Sequence, residues 1–303
     1  MKSLSKLAAA LLLCLGTSAA FAGPIIIAGT DSDDHGYAVG NANQTGWLFM
    51  QKAFENIGGA VSNGKKTAVC LGCNGFQAQN AFDSATQNSS LAGGWTFSNL
   101  TTMADITNFF NGSGTINLGN TGIVYMPTVA SNVSGGLTDD QLSIINLHGA
   151  DLNSYLASGG GLFTQEQANS SIGYGWLTTL LPGLVVQGDS GGPDFDENSL
   201  SLTAAGNAAF PGLTNADMTN ATPWHAWFSG NFGGLQVLAT GPIFSDLGGQ
   251  FPGAVVLGGG ADAVVSCGGP NDPPCPTPEP DGLPLFGLGM LGLAYGLRRR
   301  FQQ

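Results

Sequence analysis

Two alternating patterns of apolar residues run along this chain. Short, continuously apolar stretches fall at 23–30 (GPIIIAGT), 65–72 (KKTAVCLG), 121–127 (TGIVYMP), 160–166 (GGLFTQE) and 183–188 (GLVVQG). Runs of this length without polar alternation predict strands covered on both faces. Between them, apolar positions recur at helical spacing. Trp47, Phe49, Met50, Ala53, Phe54 and Ile57 predict a helix over 43–57 that stops at Gly58-Gly59, and 76–87 and 102–114 predict two more. Thr138 predicts the cap of a longer helix running through DDQLSIINLHGADLNSYLASGG, with Asp139 and Asp140 in the first turn, where the helix dipole favours acids. A short helix near 176–181 and strands at 235–240 and 253–258 finish the pattern. Strands alternating with helices predict an α/β domain with a mostly parallel, doubly wound sheet, and about 250 residues suit a single domain.

The two ends break the pattern. Lys2 and Lys6, an apolar run from Leu7 to Leu15, and Ala20 and Ala22 before Gly23 read as a secretory signal peptide over 1–22. The domain then spans 23–265, followed by a Cys/Pro-rich linker at 266–282. An uncharged stretch at 283–297 is shorter than the roughly twenty residues that span a bilayer, and a basic tail, 298–303, follows it. The tail predicts a cytoplasmic end by the positive-inside rule, so the short helix is expected to be a transmembrane anchor, permanent or transient. Pro278-Glu279-Pro280, the apolar helix and Arg298, Arg299 and Arg300, in that order, resemble the PEP-CTERM sorting signal of Gram-negative bacteria. The resemblance implies recognition by exosortase and the secretion machinery, cleavage near the Pro-Glu-Pro, and display at the surface or in the biofilm matrix of an exopolysaccharide-producing cell. It assigns an address and leaves the domain's chemistry open.

Charge narrows that chemistry. Five of the eight basic residues lie in the end segments, so Lys52, Lys65 and Lys66 stand alone between residues 23 and 280 against nineteen acids. No basic groove for nucleic acid can be built from that set, and no arginine is present there to fork onto phosphate or carboxylate. Divalent cations are the natural counter-ions. Four cysteines remain after the leader: Cys70, Cys73, Cys267 and Cys275. An even count in an oxidising compartment suggests disulfides. Cys267–Cys275 is the favoured pair, with Cys70–Cys73 either a local bridge or unpaired, and CLGC read as a redox pair is the alternative.

Gly188-Asp189-Ser190-Gly191-Gly192-Pro193 matches the hexapeptide around the nucleophile of trypsin-like serine proteases. A serine nucleophile needs a histidine base held by a carboxylate. Only His35 and His148 precede Ser190, neither in the expected setting, so the stretch reads as a loop. The order of elements, with GIVYMP, then a helix, then YLASGGGLFTQE, resembles the class I glutamine amidotransferase-like, flavodoxin-like fold. Working amidotransferases carry a cysteine on the turn after the strand that GGLF represents. Here that turn is Thr164-Gln165-Glu166-Gln167, which removes amide hydrolysis by that route.

Ligands of open α/β sheets bind beyond the carboxyl ends of the strands. That geometry makes Asp31, Asp33, Asp34, His35 and Glu166 a candidate rim site, with His225, between Trp224 and Trp227, as a further member or a sugar-facing residue. Asp31 and Asp33 only half-resemble an EF-hand loop, because His35 and Ala42 occupy its fifth and twelfth positions. Asp189, Asp194 and Asp196 form a second acidic cluster, and calcium is the candidate ion for either. The leading expectation is a non-enzymatic surface or matrix protein. The alternatives are a hydrolase working through Asp31, Asp33, His35 and Glu166, or a calcium-dependent module that binds exopolysaccharide.

Overall fold

Ile25, Ile26, Ile27 and Ala28 are all fully buried because both faces of their strand are covered. The computed structural model describes residues 23–165, 170–188, 199–219, 224–244 and 249–260. In chain order, β1 (Ile25–Ala28) leads through a hairpin of β2 (Gly36–Val39) and β3 (Ala42–Gln44) into α1 (Thr45–Ala60). There follow β4 (Thr67–Leu71), α2 (Ala78–Gln87), β5 (Thr96–Leu100), α3 (Met103–Asn111), β6 (Ile123–Met126), α4 (Asp139–Asn146), α5 (Gly149–Ala157) and β7 (Gly161–Gln165). The remainder is α6 (Gly175–Leu180), β8 (Leu184–Gly188), β9 (Ser201–Leu202), α7 (Ala204–Ala209), α8 (Asn215–Met218), β10 (Ala226–Gly230), β11 (Gln236–Phe244) and β12 (Gln250–Gly259).

The main sheet runs β5-β4-β6-β7-β1-β12-β10-β8, with β11 paired to β12 and β9 to β11. The first five strands of that order are mutually parallel. Numbered along the chain, they stand third, second, fourth, fifth, first, so β1 closes the parallel block. The strands expected at 183–188, 235–240 and 253–258 do form, as β8, β11 and β12, but they join antiparallel. Among the described residues no helix is long and apolar enough to cross a membrane.

The period-two geometry of a strand sorts the core into two layers. Ile26, Ala28, Ala68, Cys70, Ile123, Tyr125 and Phe163 face α1 and α2, where Phe49, Phe54 and Phe82 meet them. Their sequence neighbours Ile25, Ile27, Val69, Leu71, Val124, Met126 and Leu162 face α3 to α6, through residues such as Phe109, Leu152 and Trp176. The continuously apolar runs in the sequence are the consequence of this two-sided burial.

Thr138 caps α4 as its sequence suggests. Its hydroxyl accepts the Gln141 N–H at 3.2 Å, and the Gln141 side chain accepts the Thr138 N–H at 2.9 Å. Thr138→Ala is expected to cost about 1 kcal/mol, read as a lower urea midpoint with an unchanged slope; an unaltered midpoint would show that the cap carries no stability. The single long helix expected beyond it is two helices. The chain breaks at Leu147, whose side chain is 83 % exposed, before α5 restarts.

Cys70 and Cys73 are joined in a disulfide at the carboxyl end of β4, and Gly72 supplies the positive φ of +97° that the tight turn between them requires. Cys267 and Cys275 lie outside the described residues, as do the leader, the Pro278-Glu279-Pro280 motif, the 283–297 stretch and Arg298 to Arg300.

Candidate functional site

Parallel strands bring their carboxyl ends to one rim. At that rim β1 runs out through Gly29 and Thr30 into a tight turn, closed by the Asp34 N–H donating to the Asp31 carbonyl at 3.1 Å. The turn is fastened from below. The Thr30 hydroxyl donates to Gln165 Oε1 at 2.7 Å, and the Ser32 N–H reaches the same oxygen at 3.3 Å. It is also fastened from the side, because the Thr45 hydroxyl donates to the His35 carbonyl at 2.8 Å and the Trp47 indole N–H to the Asp33 carbonyl at 3.2 Å. The start of α1 therefore fixes the course of the Asp-rich turn.

A second segment arrives from far along the chain. The Gly29 carbonyl accepts the N–H groups of His225 and Ala226 at 3.0 and 3.1 Å. A Cβ on Gly29 would lie 1.9 Å from the Ala226 carbonyl oxygen, so only glycine permits this approach. It sets His225 against Asp31, 194 positions earlier in sequence.

Four side chains then converge. Asp31 Oδ2 lies 3.2 Å from His225 Nε2 and 3.4 Å from His35 Nε2, and it accepts the Asn132 amide at 2.9 Å. His35 Nε2 also meets Asp34 Oδ1 at 2.8 Å, while the Gln77 amide donates to Asp34 Oδ2 at 3.4 Å. The Asp31 side chain is 1 % exposed, those of Asp34 and His225 15 % and 18 %, and that of His35 44 %, so the cluster opens to solvent on the His35 side. The second carboxylate oxygen of Asp31, Oδ1, is buried and has no hydrogen-bond partner among the described residues.

Burial works to raise the Asp31 carboxyl, but hydrogen bonds from His225 and His35 outweigh it and hold the group well below the usual carboxylate range. The hydrogen bonds His35 makes to Asp31 and Asp34 raise its imidazole to about 10. Asp33 lies beneath the cluster and turns away from it. Its Oδ2 accepts the Thr128 N–H at 3.0 Å and faces the Tyr125 hydroxyl at 3.4 Å. Burial, with the charges of Asp31 and Asp34, pushes it up to about 7.

Of the six rim residues expected from sequence, Asp31, Asp34 and His35 come together, His225 reaches them through Asp31, Asp33 serves the floor, and Glu166 lies outside the described residues. Asp189, Asp194 and Asp196 lie outside them as well, with Ser190. His225 does not sit between two open aromatic faces. Trp224 is wholly buried, and Trp227 packs edge-on against Phe251 with ring centres 6.0 Å apart. Asn132, Gln77, Gln165 and Tyr125 were not legible as site residues, since neutral amides and a core tyrosine carry no chemical signature in sequence.

One ligand atom each from Asp31, Asp34 and His35 lie within 4.8 Å of one another, while His225 meets Asp31 from outside that group. Two carboxylates and an imidazole placed this way could hold a divalent cation. They can also act without one, as a carboxylate-oriented imidazole. No protein family, curated protein or solved structure matches the chain.

Proposed function

We propose that this chain is an exported, surface-displayed α/β protein that binds a divalent cation at its strand-end rim and works by binding rather than by catalysis. The observation that carries the reading is the convergence of Asp34, His35 and His225 on the buried Asp31 carboxylate. The export and exosortase-sorting part rests on the signal-like start and the Pro-Glu-Pro, apolar, Arg-rich end of the sequence. The amidotransferase-like relation is proposed for the strand–helix alternation and the parallel block; β1 at the end of that block sets it apart from the 2-1-3-4-5 flavodoxin order. At the carboxyl end of β7, Gln165 is occupied by Thr30 and Ser32, which supports a role without an amidotransferase nucleophile. Exopolysaccharide is the proposed partner, engaged through the bound cation.

A second reading, an acid–base hydrolase, is favoured by Asp31 orienting two imidazoles.

The test is thermal melting of the purified protein in EDTA and after adding millimolar divalent ions singly. An ion at about a hundred times its Kd adds roughly 2.7 kcal/mol, an upward shift of roughly 5–10 °C for a domain of this size. The shift is expected to vanish in Asp31→Asn. No shift with any divalent ion would overturn the cation site. Hydrolysis of glycan or amide substrates by the protein would replace the binding reading with the catalytic one.

A further inference from the structure

We propose that the outer face of the arm formed by β9, β11 and β12 binds a neutral saccharide directly, without a metal ion. This goes beyond the rim reading and does not depend on an ion at the rim.

The arm overhangs the rim. β12 pairs with β1 from Gly259 to Val256, and its residues 250–254 run on past Ala28, paired with 240–244 of β11. Because β12 is antiparallel to β1, this extension stands at the end of the sheet where β1 enters the Asp-rich turn. Open α/β sheets take their ligands at that end.

The pleat sorts the arm into two faces. One carries Gly241, Ile243 and Gly253 and is packed inward. A Cβ on Gly241 would lie 2.3 Å from Trp224 Cζ2, and one on Gly253 would lie 2.6 Å from the Ile243 side chain. The other face holds Thr240, Pro242 and Phe244 on β11, with Ser201 of β9 opposite Thr240, Pro252 opposite Pro242 and Gln250 opposite Phe244. All six are at least partly exposed. A cavity of about 470 Å³ opens here, and Ser201, Thr240, Pro242, Gln250 and Pro252 line it. That volume is ordinary for a ligand site.

The lining chooses the ligand. The hydroxyls of Ser201 and Thr240 and the carboxamide of Gln250 make no side-chain hydrogen bond to any described residue, so each can both give and accept one. Pro242 and Pro252 lie side by side between them, and Phe244 adds a ring that is 39 % exposed. No charged side chain lines the cavity. The lysines of the domain, Lys52, Lys65 and Lys66, lie on α1 and just before β4. A phosphate or uronate therefore meets no counter-charge here, and a cationic ligand meets no acid. An extended peptide would add at a strand edge through its backbone, but this is the face of a sheet, reached through side chains. A neutral ring with apolar C–H faces and a rim of hydroxyls complements prolines and an aromatic ring set among unpartnered hydroxyls and an amide.

The experiment is calorimetric titration of the purified protein, in EDTA, with neutral hexasaccharides of glucose, mannose, galactose and N-acetylglucosamine. A hexauronate and a polyproline peptide are titrated beside them. Thr240→Val, Phe244→Ala, Gln250→Ala and Asp31→Asn are compared with wild type, each checked for an unchanged circular dichroism spectrum. The first three side chains are at least partly exposed, so their loss leaves the core intact. The expected result is binding of at least one neutral hexasaccharide with a Kd of about 1 mM or tighter, weakened roughly 3- to 10-fold by each of the first three substitutions and unchanged in Asp31→Asn. No binding of any neutral hexasaccharide in EDTA would overturn the proposal, as would preference for the hexauronate or the peptide, or binding indifferent to all three arm variants. Saccharide binding that needs a divalent ion and is lost in Asp31→Asn would also overturn it, and would return the sugar to the rim with the cation reading intact.

Discussion

Phe54→Ala is expected to destabilise the protein by about 3–5 kcal/mol, a large share of the 5–15 kcal/mol or so that holds an ordinary domain folded. Phe54 is fully buried on α1, and its ring lies 5.6 Å from Phe82, 5.4 Å from Tyr125 and 5.3 Å from Phe163, centre to centre. Those partners come from α2, β6 and β7, so one ring ties two helices to two adjacent strands in edge-to-face contacts. Removing it forfeits the transfer free energy of the ring and leaves a cavity that the surrounding helices and sheet cannot close. Urea denaturation would read the loss as a lower midpoint, with a melting temperature down by roughly 10 °C or more. A loss under about 1 kcal/mol would mean the site collapses freely, and that the close-packed aromatic layer is not what holds α1 to the sheet.

The second large effect depends on pH. In the metal-free protein, Asp33 is fully buried and its carboxyl stands at about 7, against an ordinary value of 3.8. Between those values the native protein keeps a proton that the unfolded chain has lost. Stability is therefore greatest below about 4, falls as pH rises to about 7, and is flat above, as far as this group is concerned. Over roughly three pH units the loss is on the order of 4 kcal/mol. Asp33→Asn keeps an acceptor for the Thr128 N–H and removes the charge. The variant should melt close to wild type near pH 4 and increasingly above it toward pH 7, both measured in EDTA. Asp31, held low, and His35, held high, titrate outside most of this window and are present in both proteins. A difference in melting temperature that stays constant from pH 4 to pH 8 would show that Asp33 is ionised in the fold throughout.

Burial explains which elements could be read from the sequence. β1, β6 and β7 are apolar at consecutive positions because helices cover both faces, and such runs stand out. β5, with the sequence TFSNL, lies at the sheet's edge with every residue at least partly exposed, so its polar alternation hid it. The hairpin of β2 and β3 is short and mostly exposed, and it too left no apolar signature. At Leu147 the apolar spacing runs on across a break, so α4 and α5 looked like one helix. In the site, Asp31, Asp34 and His35 were legible as a local cluster at the end of a strand. That His225 belongs with them as a partner of Asp31 depends on a backbone approach at Gly29, made across 194 positions, which spacing does not encode.

The position of β1 also bears on the order in which the chain can be assembled. Ile25 to Ala28 pair on one side with 162–165 and on the other with 256–259. A chain made from its amino end therefore holds an apolar strand whose second neighbour is nearly the last described segment to be synthesised. Such long-range pairing closes slowly and leaves sticky intermediates. The rim inherits the same timing, since Asp31 and His225 meet only after β10 has reached Gly29. The Asp31–His225 pairing is therefore completed only when a segment from late in the chain has docked beside its first strand.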